Sequence, residues 1–335
     1  MRPAIHVVAG LLVDGNRVCL TRRRADAHQG DKWEFPGGKL DPDESPLAGL
    51  KRELHEELGI EVERAQPFIC VRHRYPEVDV LLDVWRVTRY RGTPHGREAQ
   101  ELRWVEYDRL SPSEFPEADR PVLRRLQLPS LYLISDARRI GATEFLDQLE
   151  RAVAAGARLI QLREAHLDRE NFCAYARQIA ARCRRYGARL IVNADPEWLL
   201  ECEADGVHLN RKRLMALGTR PVGPDPWVAA SCHDETELRR AQELPVDFAV
   251  LGPVMPTASH AGAETLGWER FAALCGSTVL PIYAIGGMRS TDLSQAHVAG
   301  AQGLAMISGV WQSQNFEAIV RELRSSDQLD RERVR

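Results

Sequence analysis

From Leu131 onward the chain alternates short apolar runs with amphipathic helical stretches, and nothing else in its 335 residues limits the fold as tightly. Eight strands are predicted: Leu131–Ile134, Leu159–Leu162, Leu190–Val192, Val207–Leu209, Val228–Ala230, Phe248–Leu251, Ile282–Ile285 and Leu304–Ile307. Helical segments separate most of them, among them Glu144–Ala155, Phe172–Tyr186, Glu235–Glu243 and Leu293–Ala299. The segment after Val207–Leu209 has no clear pattern. Eight β/α units in about 195 residues specify a compact α/β fold, the (β/α)8 TIM barrel.

Such barrels carry their site at the C-terminal ends of the strands, and the loops after strands seven and eight often hold phosphate. Those loops are Ile285-Gly286-Gly287-Met288 and Ile307-Ser308-Gly309-Val310. Gly286, Gly287 and Ser308 are therefore a candidate phosphate site, since glycine lets backbone N–H groups approach an anion closely. Tight turns alone would explain the same glycines. His208 and His233 could face the barrel mouth, although structural histidines are the commoner outcome.

Before residue 131 the pattern differs. Ala4–Val13 and Arg17–Thr21 are apolar runs parted by Asp14-Gly15-Asn16, a hairpin signature. Strands are also predicted at Pro67–Arg74 and Val78–Val87, parted by Tyr75-Pro76-Glu77, and at Glu101–Val105, with a short closing helix at Pro121–Leu126. A helix set in a mostly antiparallel sheet makes this half an α+β sandwich.

That helix lies in the stretch Gly37–Ile60. Ser45 suits its N-cap, Pro46 its first position and Gly59 its stop. At 100° per residue, Leu47, Leu50, Leu54 and Leu58 form one stripe that must face a core. Glu53 and Glu57 flank the stripe on one side, and Glu56 lies further round. Carboxylates at i and i+4 repel by some tenths of a kcal/mol on a bare helix, and a cation reverses the sign. Magnesium fits, because it takes oxygen ligands, keeps several waters and is completed by substrate phosphates. Arg52 can pair with Glu56 one turn on or hold Glu53 in place. A solvated acidic face is the bland alternative.

At this length two domains are expected: residues 1–128 and residues 131–325, joined at Gln127-Leu128-Pro129-Ser130. Residues 326–335 form a polar tail, and the end from Ser325 is expected to fray. A formal charge of −3 points to neither a nucleic-acid polymer nor a membrane surface as partner. No run approaches a membrane span, and Met1–Ile5 is too short for a signal peptide. Seven cysteines without a Cys-x-x-Cys pair suit a reducing compartment, so a cytoplasmic location is expected.

Gly38, five residues, Glu44, seven residues, then Arg52-Glu53-Leu54-His55-Glu56-Glu57-Leu58-Gly59-Ile60 matches the Nudix box at every defined position. Residues 4–126 resemble a MutT-type Nudix hydrolase, an α/β/α sandwich, along their whole length. Thr21-Arg22-Arg23, Ala25-Asp26-Ala27-His28, Trp33-Glu34-Phe35-Pro36-Gly37-Gly38-Lys39, Phe115-Pro116 and Pro121-Val122 carry the match. The resemblance implies Mg2+- or Mn2+-dependent hydrolysis of a nucleoside triphosphate by water, giving the monophosphate and pyrophosphate. For an 8-oxo-dGTP substrate this is nucleotide-pool sanitation in the service of DNA repair. It implies metal binding at Glu53, Glu56, Glu57, Glu98 and Gly37, with Glu98 supplied by a distant loop. Glu53 or Glu98 would activate the water, with Arg52 as a further catalytic residue. Arg23, Glu34, Phe35, Lys39 and Asp119 would contact substrate: Arg23 and Lys39 on phosphate, Phe35 stacked on the base.

Asp119 is a departure. The oxidised-guanine enzymes of this type resemble one another in carrying asparagine there, and an ionised aspartate can only accept hydrogen bonds. An aspartate facing 8-oxoguanine would meet its carbonyl oxygen with a like partial charge.

The second half, to about Leu323, resembles the thiamin phosphate synthase and thiazole tautomerase superfamily. Gln161-Leu162-Arg163-Glu164, Ile191-Val192-Asn193, Asp205-Gly206-Val207-His208-Leu209, Leu251-Gly252-Pro253 with Pro256-Thr257, and Ile285-Gly286-Gly287 carry the match. The synthase needs metal-binding carboxylates and cations, and these are altered here. Ala165 and Ala194 replace a lysine and an aspartate, Asn210-Arg211-Lys212-Arg213 replaces a Gly-Gln-x-Asp run, and His260 replaces another lysine. Asp195 lies one place off the lost aspartate, and Lys212 is the sole lysine of this half. Without those groups a diphosphate leaving group is not stabilised, so a degenerate barrel inactive as synthase is expected. Three readings stay open: a passenger or binder of a phosphorylated small molecule; a thiamin-linked enzyme whose first half hydrolyses a thiamin or precursor diphosphate while the barrel binds or isomerises a thiazole phosphate, with His208 or His260 as acid/base; and a scaffold for a homodimer.

Overall fold

The computed structural model describes residues 4–26, 28–98, 100–256 and 264–331, with side chains to residue 327. Ala27, Thr257 and His260 of the resemblances, and the last four residues of the tail, lie outside the described residues. The chain divides into two compact units, one built on the chain up to Gln127 and the other on Leu128–Asp327.

The first unit contains β1 (Ala4–Asp14), β2 (Arg17–Arg22), β3 (Trp33–Glu34), β4 (Gly37–Lys39), α1 (Pro46–Leu58), β5 (Glu61–Arg74), β6 (Asp79–Arg91), β7 (Leu102–Glu106) and α2 (Arg120–Gln127). Strand β1 is its spine. It runs parallel to β6 from Ala4 to Leu12 and antiparallel to β4 at Val7–Ala9 and to β2 at Val13–Asp14. Alternation along β1 separates two cores. Val8 and Leu12 pack with Leu50, Leu54 and Leu58 of α1, whereas Ala9, Leu11 and Val13 pack with Phe115, Val122 and Leu123 on the α2 side. The result is the expected α/β/α sandwich. Gly10 is required on the α1 face, because a Cβ there would lie 2.7 Å from Leu54 Cδ1.

Two local expectations need correction. Strand β5 starts at Glu61, not Pro67, because the αL turn at Gly59 leads straight into the sheet. Its first residues are charged and largely exposed apart from Val62, so they lack a strand-like apolar pattern. Leu47 does not join the inward stripe: residues 45–48 lie at the surface, and α1 enters the core only from Gly49.

The second unit is a closed barrel of eight parallel strands: β8 (Leu131–Ile134), β9 (Leu159–Leu162), β10 (Arg189–Val192), β11 (Gly206–Leu209), β12 (Trp227–Cys232), β13 (Phe248–Leu251), β14 (Ile282–Ile285) and β15 (Gly303–Met306). Tyr132, Ile134, Ile191, Phe248 and Tyr283 point inward, while Leu131, Leu133, Leu190 and Val192 meet the helices. That is the period-two division a barrel requires. The helices are α3 (Ala137–Ile140), α4 (Ala142–Ala155), α5 (Arg169–Arg185), α6 (Arg211–Ala216), α7 (Glu235–Glu243), α8 (Gly267–Gly276), α9 (Leu293–Val298), α10 (Ser308–Trp311) and α11 (Phe316–Arg331). The segment without a clear pattern after β11 is the short α6.

The polar end does not fray at Ser325, since α11 runs to Arg331. Asp327 is buried, and its carboxylate accepts from the Ser130 N–H at 2.8 Å and the Ser130 hydroxyl at 2.5 Å. This anchors the last helix to the start of β8.

Candidate active site

Helix α1 is fixed at both ends by its sequence. Ser45 Oγ accepts from the Ala48 N–H, Pro46 opens the first turn, and Gly59 closes the last at φ 69° with its N–H on the His55 carbonyl. The loop after β6 bonds to three carbonyls of that last turn, which the helix itself leaves short of partners. His95 N–H bonds to Leu58 O at 3.1 Å, Arg97 N–H to Glu57 O at 3.0 Å, and the Arg97 guanidinium to His55 O at 3.0 Å. The same loop brings Glu98 within electrostatic range of Glu57.

The acids of α1 are organised by Arg52 and by β4. Arg52 does both things foreseen for it, bonding Glu53 at 2.8 Å and Glu56 at 3.2 Å. It also binds Glu44 through two nitrogens, at 3.1 and 2.8 Å, and the Lys39 carbonyl at 3.1 Å. These bonds hold the Glu44 carboxyl below its ordinary range. Glu53 lies against Gly38, where a Cβ would sit 2.4 Å from its Oε2. Glu57 accepts from the Gly37 N–H at 2.9 Å. Burial, together with the nearby charges of Glu34, Glu53 and Glu98, pushes the Glu57 carboxyl up to about 8. Burial also raises Glu53, against the pull of Arg52.

Among the described residues, no three acidic, histidine or cysteine side chains are grouped closely enough to hold an ion together. The donors nevertheless suit a hard divalent cation. They are carboxylate oxygens around a buried, mutually repelling core at Glu57, a charge distribution that a bound cation would relieve. Glu53, Glu56, Glu57 and Glu98 are the residues that would hold it. Gly37 enters through its N–H to Glu57, so the structure gives it a positioning contact.

Next to the acids is a cleft of about 380 Å3. Arg23, Glu34, Phe35, Lys39 and Asp119, the five residues singled out from the sequence, all line it, and so does Gly37. Arg23 is ion-paired with Glu34, and Phe35 stacks on Phe115 with centroids 5.8 Å apart. Asp119 is 7% exposed. Burial, then the charge of Glu34, lifts its carboxyl to about 7, although Arg23 and the Phe35 main chain oppose the shift. Sequence reasoning missed Tyr75, Val78, Val80 and Leu82, which also line the cleft. The period-two spacing of the last three marks them as one face of a strand, but not which ligand they meet.

The barrel mouth forms a second cavity of about 370 Å3. Gly286, Gly287 and Ser308 line it as expected, and so does His233, whose Nδ1 is 2.8 Å from Glu237 Oε2. His208 does not face the mouth. It is 1% exposed inside the barrel, with Nδ1 3.2 Å from the Tyr132 hydroxyl and 3.0 Å from Gln161 Nε2, and Nε2 2.7 Å from Ser231 Oγ. Burial depresses its pKa to about 3, which keeps the ring neutral.

Comparison with known proteins agrees with both halves. A profile described as NUDIX domain matches residues 7–125, and one described as thiamine monophosphate synthase matches residues 131–310. The 8-oxo-dGTP diphosphatase of Escherichia coli is 38% identical over 124 residues, 37% of this chain and 96% of that protein. A thiamine-phosphate synthase of Solidesulfovibrio magneticus is 37% identical over 199 residues, covering 58% of this chain and 94% of the relative. The solved thiamine phosphate pyrophosphorylase of Pyrococcus furiosus superposes with a TM-score of 0.53 at 25% identity, over 62% of this chain and 98% of that one. No described helix is long and apolar enough to cross a membrane. The chain belongs to the Nudix hydrolases of MutT type through its first unit and to the thiamine monophosphate synthase family through its barrel.

Proposed function

We propose that the first unit hydrolyses a nucleoside triphosphate to the monophosphate and pyrophosphate, with 8-oxo-dGTP as substrate and Mg2+, or Mn2+, held by Glu53, Glu56, Glu57 and Glu98. One observation carries this reading: strand β4 joins the base cleft to the acids. Gly37 lines the cleft and donates to Glu57, and Lys39 lines the cleft while its carbonyl accepts from Arg52. A nucleotide with its base against Phe35 would extend its phosphates along Lys39 toward the acids. The metal, when bound, neutralises phosphate charge and aids attack by water. Glu53, held by Arg52 beside Gly38, or Glu98 takes the proton from that water. Arg23 and Glu34 form a paired wall, and Asp119 presents its carboxyl to the base edge.

The test compares kcat/KM for 8-oxo-dGTP, dGTP and thiamin diphosphate with the whole protein. A ratio near one between the first two rejects the oxidised-base assignment, and a preference for thiamin diphosphate favours the thiamin-linked reading. Glu53→Gln should lower kcat by about 100-fold or more with unchanged circular dichroism, and activity that survives rejects this metal site.

For the barrel we infer that the synthase reaction is lost. Ala165 and Ala194 stand where the family resemblance places a lysine and an aspartate, and among the described residues no carboxylate lines the mouth. Product formation from a pyrimidine diphosphate and a thiazole phosphate would refute this.

A further inference from the structure

We propose that Tyr75 is a specificity-determining residue of the first unit's cleft, its hydroxyl donating a hydrogen bond to a carbonyl oxygen on the substrate's base. The assignment rests on the nucleotide reading of this cleft given above. Tyr75 directly follows β5 and lines the cleft together with Ala118 and Asp119. Its oxygen accepts from the Ala118 N–H at 3.2 Å, and among the described residues the hydroxyl makes no other hydrogen bond. A phenol has a proton to give as well as lone pairs to accept with. That proton is left for a ligand in the cleft.

The ring that carries the hydroxyl is held on several sides. Its main-chain N–H bonds the Val78 carbonyl at 2.9 Å, which closes the turn into β6. His28 and His73 both meet the ring edge to face, with centroids 4.9 and 4.4 Å away. His73 Nε2 lies 3.1 Å from Glu117 Oε2, so the segment 116–119 is tied to the same strand. Tyr75 is 9% exposed, and a side chain already fixed in place loses little freedom when a ligand arrives. Burial, with the charges of Asp119 and Glu117, holds the phenol above its ordinary range against the Ala118 bond and Arg23, so it stays protonated.

The hydroxyl complements Asp119. An ionised Asp119 only accepts, so it needs an N–H on the base edge. Tyr75 bonds the residue before Asp119 and feels its charge, which sets a donor beside that acceptor. The two together match a base edge on which a ring N–H adjoins a carbonyl, as in guanine and oxidised guanine. Protonation of Asp119 adds a second donor, while the one at Tyr75 is present at either charge. A base without a carbonyl oxygen leaves the phenol unpaired, and a desolvated donor without a partner disfavours it.

Tyr75→Phe keeps the ring against His28 and His73 and removes only the oxygen. The test measures kcat/KM of the full chain with Mg2+ for 8-oxo-dGTP, dGTP and dATP. We expect a fall of about fivefold or more for a nucleotide whose base carries the carbonyl, expressed in KM, and a change of less than about twofold for dATP. The Ala118 N–H also loses its acceptor in this variant, and a displaced 116–119 segment would lower all three values alike. That result overturns the proposal, as does no change in any of them. Wild-type protein that cleaves none of the three removes the nucleotide reading and the proposal with it. A wild type that cleaves them, with a Tyr75→Phe variant of the same profile, removes only the donor at Tyr75.

Discussion

The Gly37 N–H donates to Glu57 Oε2 at 2.9 Å, tying a three-residue strand to an acid 20 positions further along the chain. The glycine has φ 151°, and a Cβ at this position would lie 2.1 Å from the Val8 carbonyl oxygen. Only glycine lets β4 come this close to β1 while its N–H meets the helix. The contact aims Glu57 into a setting that penalises its charge.

That penalty has a definite pH signature. The Glu57 carboxyl rises from 4.5 to about 8 on folding. The folded form therefore holds the extra proton between those values, and stability falls as pH rises through the window. Metal-free protein should lose on the order of a few kcal/mol between pH 5 and 8, and Glu57→Gln should flatten the profile. Mg2+ should raise Tm most at the alkaline end. Thermal melts in EDTA that show no slope would reject this account.

Asp119 should behave as an asparagine surrogate below neutral pH. With its carboxyl lifted to about 7, the protonated form both donates and accepts, and the ionised form only accepts. The objection to aspartate at this place therefore holds only above that pH. KM for 8-oxo-dGTP should climb as pH passes from 6 to 8, and Asp119→Asn should make KM flat across the range. Parallel profiles for the two proteins would show that Asp119 does not read the base.

His208 imposes the opposite slope on the barrel. Its folded pKa of about 3 lies below the ordinary 6.5, so the unfolded chain takes up the proton first. Stability is full above pH 6.5 and falls as pH drops toward 3. His208→Gln should make melting less acid-sensitive between pH 6.5 and 4 while costing about 1–3 kcal/mol at pH 7. An unchanged acid slope in that variant would remove His208 from the explanation.

Asp327→Ala should destabilise the barrel by about 1–3 kcal/mol, because the buried Ser130 N–H and hydroxyl lose their shared acceptor. Asp327→Asn should retain part of that stability. Urea unfolding of the two variants measures the difference, and equal midpoints for wild type and Asp327→Ala would refute the anchor.

Much of this was legible beforehand where the physics is local. The eight barrel strands appear at or within a few residues of their expected places, because an all-buried parallel strand needs an uninterrupted apolar run. The caps of α1 were equally plain, since Ser45, Pro46 and Gly59 each solve a problem at one helix end. Illegible features depended on distant partners. Leu47 has the same side chain as Leu50, yet it stays 37% exposed in the first turn while Leu50 is fully buried, and the charged start of β5 is a strand only because β6 pairs with it.

By itself the sequence determined two classes of fold and the acids on one side of α1, because periodicity, capping and motif spacing lie within short stretches of chain, and its resemblance to a known family pointed to the five residues that line the neighbouring cleft. Tertiary structure decided the rest. It set Gly37 against Glu57, carried Glu98 to the same helix end, buried Asp119 beside Glu34 and drew His208 away from the mouth into the barrel. Each of these is a matter of desolvation and of charges brought together across long separations, and such effects arise only when the chain closes on itself.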